Sequence, residues 1–136
     1  MLRMAATYLT TLVSLLVLDG LWLGLAALPM FKATLGEDLL TFRIVPGVLF
    51  YLLYTTGIQV FVLPRASPGG WQSTLLYGAL FGLFTYATYD LTNYATLRPW
   101  TLQLAATDIV WGMALTAAAS TLGLLGGQAI ERRFGT

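Results

Sequence analysis

Three aspartates, Asp19, Asp90 and Asp108, fall inside or at the edge of long apolar runs. A carboxylate near the centre of a membrane helix costs about 2.5–3.5 kcal/mol on insertion scales. Such a group accepts a proton, binds a cation, or ties helices together in a polar network. Asp19-Gly20-Leu21-Trp22 and Asp108-Ile109-Val110-Trp111 repeat one pattern, and the chain holds only 4 Trp. The i, i+3 spacing sets each indole beside its carboxylate on one helix face. Two antiparallel helices carrying this motif would enclose a site of approximate two-fold character. A plain packing or interfacial role for Trp22 and Trp111 stands open beside that reading, and Trp71 and Trp100 read as members of an interfacial aromatic belt.

Other chemistries are excluded by residue type. With no His and no Cys, thiolate nucleophiles, disulfides and imidazole- or thiolate-ligated metals are ruled out within this chain. Ser14, Ser67, Ser73 and Ser120 lie in no nucleophile-elbow context. The glycines from Gly123 to Gly127 lack the following Lys-Ser or Lys-Thr of a phosphate loop. No catalytic residue, metal ligand set or cofactor is therefore assigned.

The elements that must position these aspartates are membrane helices. Of the 136 residues 57% are hydrophobic and 10% charged, whereas a soluble domain carries about a quarter charged residues. The net charge of +1 argues against a nucleic-acid partner, which calls for a clustered basic face. About 20 apolar residues cross the hydrocarbon core as a helix. Four stretches qualify, 5–28, 44–63, 74–92 and 102–125, which predicts an all-α, integral membrane four-helix bundle forming one domain over 1–136. Arg3 before a long apolar run reads as an uncleaved first span rather than a secretory signal.

Pro29 is expected to end the first span, with Pro46 in the first turn of the second. Pro64, Pro68, Gly69 and Gly70 form the second connection, Pro99 separates the third span from the fourth, and Gly126 and Gly127 end the fourth. In the connection 29–43, Phe31, Leu35, Leu39 and Phe42 recur at helical spacing, as in a short amphipathic helix on the membrane surface. An ordinary loop, to which Gly36 points, is the alternative. Gly20 and Gly24, Gly78 and Gly82, and the row Asp108, Gly112, Thr116 and Ser120 are candidate helix-packing rows.

Depth unites the aspartates. Asp19 lies nine residues before the end of the first span and Asp108 six after the start of the fourth, on antiparallel helices. Both sit roughly 9–14 Å below the same face at 1.5 Å per residue. Asp90, two residues from the end of the third span, is shallower on that face, as a structural partner at the rim. Arg43 and Arg98 share this side and are candidates to neutralise a carboxylate through a bidentate fork. Tyr86, Asn93 and Tyr94, at i−4, i+3 and i+4 from Asp90, make a face rich in hydrogen-bonding groups, to which Tyr51 and Tyr54 could add.

Four segments also resemble a known family. They are Leu18-Asp19-Gly20-Leu21-Trp22-Leu23-Gly24, Phe50-Tyr51-Leu52-Leu53-Tyr54, Leu83-Phe84-Thr85-Tyr86-Ala87-Thr88-Tyr89-Asp90-Leu91-Thr92-Asn93, and Asp108-Ile109-Val110-Trp111-Gly112. They are similar to bacterial membrane proteins grouped as domain of unknown function 2177, and Thr-Tyr-Asp-Leu-Thr-Asn is the most specific part. The resemblance implies a small four-span protein of the bacterial inner membrane and no established activity.

Two functions of different class follow from the residues. One is proton- or cation-linked transport or permeation through the carboxylates, for which so small a bundle would have to dimerise. The other is an accessory or ligand-binding subunit of a membrane complex, holding a lipid, quinone-like or pigment-like molecule. A lipid-modifying enzyme with an aspartate acid–base pair has less support. The lipid bilayer is the expected surrounding, with a homodimer or larger complex as candidate partner. Arg3, Arg65, Arg132 and Arg133 on one side outnumber Lys32, Arg43 and Arg98 on the other, which puts both termini in the cytoplasm.

Overall fold

The computed structural model describes residues 1–66 and 70–135. Among them there are four long helices and no strand: α1 (Leu2–Leu35), α2 (Ile44–Arg65), α3 (Gly70–Thr96) and α4 (Leu102–Phe134). A short 3₁₀ turn, Glu37–Leu39, interrupts the α1–α2 connection. The expected all-α bundle is what forms, because helices satisfy every backbone group internally. Pro68 and Gly69 of the second connection, and Ser67 beside them, lie outside the described residues.

The bundle is organised around α4. Half of its most apolar stretch is buried (50%), against 22% in α1 and 17% in α2. Its neighbours α1 and α3 meet it through antiparallel rows of residues spaced by four. On α3 the buried row is Thr74, Gly78, Gly82 and Asp90; it faces Gly112, Thr116 and Ser120 on α4. A methyl at Gly78 would lie 2.9 Å from Ala117 Cα, and one at Gly82 would overlap the Gly112 carbonyl. The Tyr86 ring occupies the space above Gly112. On α1 the buried row is Thr7, Thr11, Leu15 and Asp19; Thr7 fills the space above Gly127 and Thr11 that above Gly123. Hydroxyls in these rows donate within their own helices, Thr11 to the Thr7 carbonyl (2.8 Å) and Ser120 to that of Thr116 (2.6 Å). Polar side chains at the seams thus keep their hydrogen bonds while the backbones approach closely.

Gly126 and Gly127 do not end the last helix, which runs on to Phe134. They belong to the α1 seam, where small residues are needed for contact rather than for a turn. Gly20 and Gly24 form no packing row: a methyl at either would meet nothing within 4 Å.

Pro29 does not stop α1 either. A proline removes one N–H and crowds the carbonyl four residues back. Just before it, Leu23–Ala27 adopts a wider π turn, and the Leu28 N–H bonds Leu23 O, five residues back. Pro64 is handled in the same way by the π turn Ile58–Val62, where Leu63 N–H bonds Ile58 O. In each case the bulge lets the helix continue past its proline.

The amphipathic surface helix takes a different form. Phe31 and Leu35 lie on the continuation of α1, packed with Met30 against Trp100, Leu104 and Ala105. Gly36, at φ 82°, breaks the helix where a side chain would be strained. Leu39 and Phe42 follow in the 3₁₀ turn and the extended segment, both exposed.

Among the described residues α1, α2 and α4 are long and apolar enough to cross a membrane. The remaining helix, α3, has 27 residues, about 40 Å at 1.5 Å each. Its Thr85–Thr96 half carries the tyrosines, threonines, Asp90 and Asn93 that lower its apolarity.

Candidate functional site

Each aspartate stands at the connection end of one of the rows just described. Leu15 fits against Ala119 in the central core; one turn further, Asp19 arrives beside Trp111. Asp19 accepts two hydrogen bonds, from the Tyr51 hydroxyl (2.6 Å) on one oxygen and the Trp111 indole N–H (3.1 Å) on the other. Trp22 and Trp111 stack face to face, with centroids 4.7 Å apart and planes 9° from parallel. The two Asp-x-x-Trp motifs therefore do meet, but unequally. Trp111 serves the aspartate of the other helix, whereas the buried Trp22 N–H finds no acceptor.

Asp108 and Asp90 continue the α3–α4 register one turn beyond Tyr86 and Gly112, and their carboxyls face one another within interaction range. Asp90 is fully buried (0% exposed); neither of its oxygens meets a donor in hydrogen-bond geometry, although Trp100 and Asp108 stand close to it. By exposed surface it is the most enclosed of the three rather than a group at an open rim. What covers it is Trp100, buried instead of lying in an interfacial belt, edge-on to Tyr89 and tilted against Phe31. Trp71, in contrast, is exposed.

The expected hydrogen-bonding face around Asp90 does not assemble. Tyr86 turns toward Gly112 and Tyr54, Tyr94 is exposed, and Asn93 stands near Tyr89 instead. Nor do the arginines arrive. Arg43 and Arg98 are exposed, and among the described residues the ion pairs are Arg3–Glu131 (3.1 Å) and Lys32–Glu37 (3.5 Å). Arg43 precedes α2 in extended backbone and Arg98 sits in the α3–α4 turn.

Asp19 and Asp108 open on a cavity of about 620 Å³ between α1, α2, α3 and α4. Its wall is aromatic, with Trp22, Phe50, Tyr51, Tyr54, Tyr86 and Tyr89. Phe31, Phe42, Pro46 and Gly47 line it toward the connections. The Tyr54 hydroxyl pairs with Thr116 (2.7 Å) and Thr85 (3.1 Å), bridging α2 to α4 and α3. Below that bridge Leu15, Ile58, Val62, Leu115 and Ala119 close the interior. The cavity exists because α2 leans on α1 near Tyr8, whose hydroxyl donates to Leu52 O (3.1 Å), and its backbone meets α3 closely only from Ile58 onward. The Ile44 end of α2 is left apart from α3.

Among the described residues no three acidic side chains converge as a metal-holding group. Tyr89, Phe31, Phe42 and the cover provided by Trp100 were not legible as site components. Tyr89 adjoins Asp90 in sequence, and the spacing of Phe31 and Phe42 points only to a surface stripe.

A helical membrane bundle with carboxylates buried among aromatics is thus the class of protein defined by the fold and the site. The chain belongs to the family of predicted membrane proteins called DUF2177, whose match covers residues 4–125. That match includes all three aspartates and their partners. No curated protein matches, and no solved structure does.

Proposed function

We propose that this is a membrane-embedded binding protein, with the aromatic cavity over Asp19 and Asp108 as its ligand site. The single observation that carries this reading is that a partly open cavity of about 620 Å³ meets two carboxylates and no counter-charge. Ligand sites are typically apolar clefts of about 300–1,000 Å³ with a few placed polar groups. In this reading all four helices cross the bilayer, and the exposed hydroxyls of Thr88, Thr92 and Thr96 on α3 are satisfied by carbonyls of their own helix. The membrane is the bacterial inner membrane, with both termini cytoplasmic.

Gly47 offers a direct test. It lines the cavity, and a Cβ there would meet nothing within 4 Å, so Gly47→Phe is expected to fill the site and leave the bundle intact. Native mass spectrometry from mild detergent should find a small molecule retained by the wild type and lost from Gly47→Phe. Wild type that carries none, in any lipid tested, would overturn the proposal.

Proton- or cation-linked transport is the second reading, favoured by Asp90 standing behind Asp108. Two facing carboxyls share a proton or a cation, which suits exchange at the ligand site. It requires a route through the half sealed by the glycine–threonine seams, and so a rearrangement or a second copy. Flux in proteoliposomes that is unchanged in both Asp19→Asn and Asp108→Asn would rule it out.

A further inference from the structure

We infer that the ligand is an organic monocation with an apolar body, an ammonium or phosphonium whose bulk fills the aromatic cavity. The inference rests on the reading of that cavity as a binding site and adds the chemistry of its occupant. All lining groups that can carry charge are acids, Asp19 and Asp108 together with tyrosine hydroxyls, and no Lys or Arg reaches the cavity. An anion would meet two carboxylates in a low-dielectric wall, where like charges repel strongly. A neutral ligand would leave Asp19, which accepts from two donors, with no counter-charge.

Asp19 retains capacity for a cation. Its two oxygens accept one donor each, and an ionised carboxylate offers about four lone-pair sites. Tyr51 and Trp111 therefore hold it in place without saturating it. The aromatic faces supply the second attraction, since a cation within about 6 Å of such a ring is drawn to its quadrupole.

A bare metal ion suits the site less well. Hard cations take about six to eight oxygen ligands. This wall presents rings instead, and among the described residues no three acidic groups come together as a metal-holding set. Phe42, Pro46 and Gly47 mark the way in, on the side of the α1–α2 connection. An amphiphilic cation concentrates at that level of a bilayer.

The test uses two probes of one shape and opposite charge, tetraphenylphosphonium and tetraphenylborate. Each is titrated against the full chain in nanodiscs of zwitterionic lipid and followed by the fluorescence of the Trp22–Trp111 stack, with empty nanodiscs as control. The cation should bind saturably and the borate should not. Asp19→Asn and Asp108→Asn should each weaken the cation about tenfold or more. Gly47→Phe should abolish binding while leaving the helical circular dichroism and the elution volume unchanged. Equal binding of the borate, cation affinity unchanged in both aspartate variants, or no saturable binding of the cation would each overturn the inference. The binding reading has its own readout. A neutral molecule that co-purifies with wild type and is lost from Gly47→Phe would sustain the site while refuting the cation.

Discussion

The two ends of this bundle are built from the same rows of residues and differ in how the rows finish. Toward the termini, Thr7 and Thr11 close on Gly127 and Gly123, and Gly78 on Ala117 and Ser120. There is no room for a further carbon. Toward the connections, the same rows end in Asp19, Asp90 and Asp108, and α2 swings away from α3 to leave the cavity. Small residues with internally bonded hydroxyls let helices touch. Carboxylates at the ends of the same rows cannot be dismissed as surface decoration, because the register that packs one half buries them in the other.

That contrast can be broken by substitution. The largest effect is expected in the sealed half. Gly82→Leu forces a side chain into the Gly112 carbonyl, and Gly123→Leu one into Thr11. Each should lose about 3 kcal/mol or more, at or above the upper end of overpacking costs, measured by reversible unfolding in mixed micelles. If either is tolerated, the seams are looser than described. In the open half, Tyr51→Phe removes the 2.6 Å bond to Asp19. It should cost about 1.5–3 kcal/mol in the same assay, as for a hydrogen bond to a charged group, and alter Trp fluorescence through Trp111.

Asp90→Leu sharpens the comparison from the other direction. A buried carboxyl with no donor on either oxygen contributes little to stability, and apolar replacements of buried charges are often neutral or stabilising by about 1–4 kcal/mol. Unfolding should therefore be unchanged or shifted upward; a marked loss would show that Asp90 holds α3 to α4. The smallest effect is expected at Gly20 and Gly24. Ala at either, with open space around it, should stabilise α1 by about 0.5–1 kcal/mol through helix propensity alone. A destabilisation there would reveal an interface with a second copy.

Much of the site was legible in advance because it depends on counting. Placing Asp19 and Asp108 at one depth needed only the rise per residue and the alternation of helix direction. The row Asp108, Gly112, Thr116 and Ser120 was legible from its spacing of four, and all of it is buried. Less legible was anything requiring a choice between neighbours. Arg43 and Arg98 lie at the same end of the bundle as the aspartates, yet both are exposed. Glycine pairs look alike in sequence, but Gly78 and Gly82 face α4 while Gly20 and Gly24 face nothing.

Prolines show the same boundary. Pro46 stands in the first turn of α2, where its missing N–H has no partner to lose. Pro29 and Pro64 lie inside continuing helices, each excused by a π turn. Whether a proline ends a helix or is carried along depends on whether packing beyond it repays the distortion. Here Met30, Phe31 and Leu35 supply that packing against Trp100.

By itself, then, the sequence determined the membrane class, the helical fold and the end of the bundle at which the aspartates gather, since apolar run length and a fixed rise decide these locally. Only the tertiary structure decided that Asp19 is held by Tyr51 and Trp111, that Asp90 is shut beneath Trp100, and that a cavity opens over Asp108. Those outcomes depend on how far each helix rotates and leans against the others. That is settled by close packing along whole rows of residues rather than by any one of them.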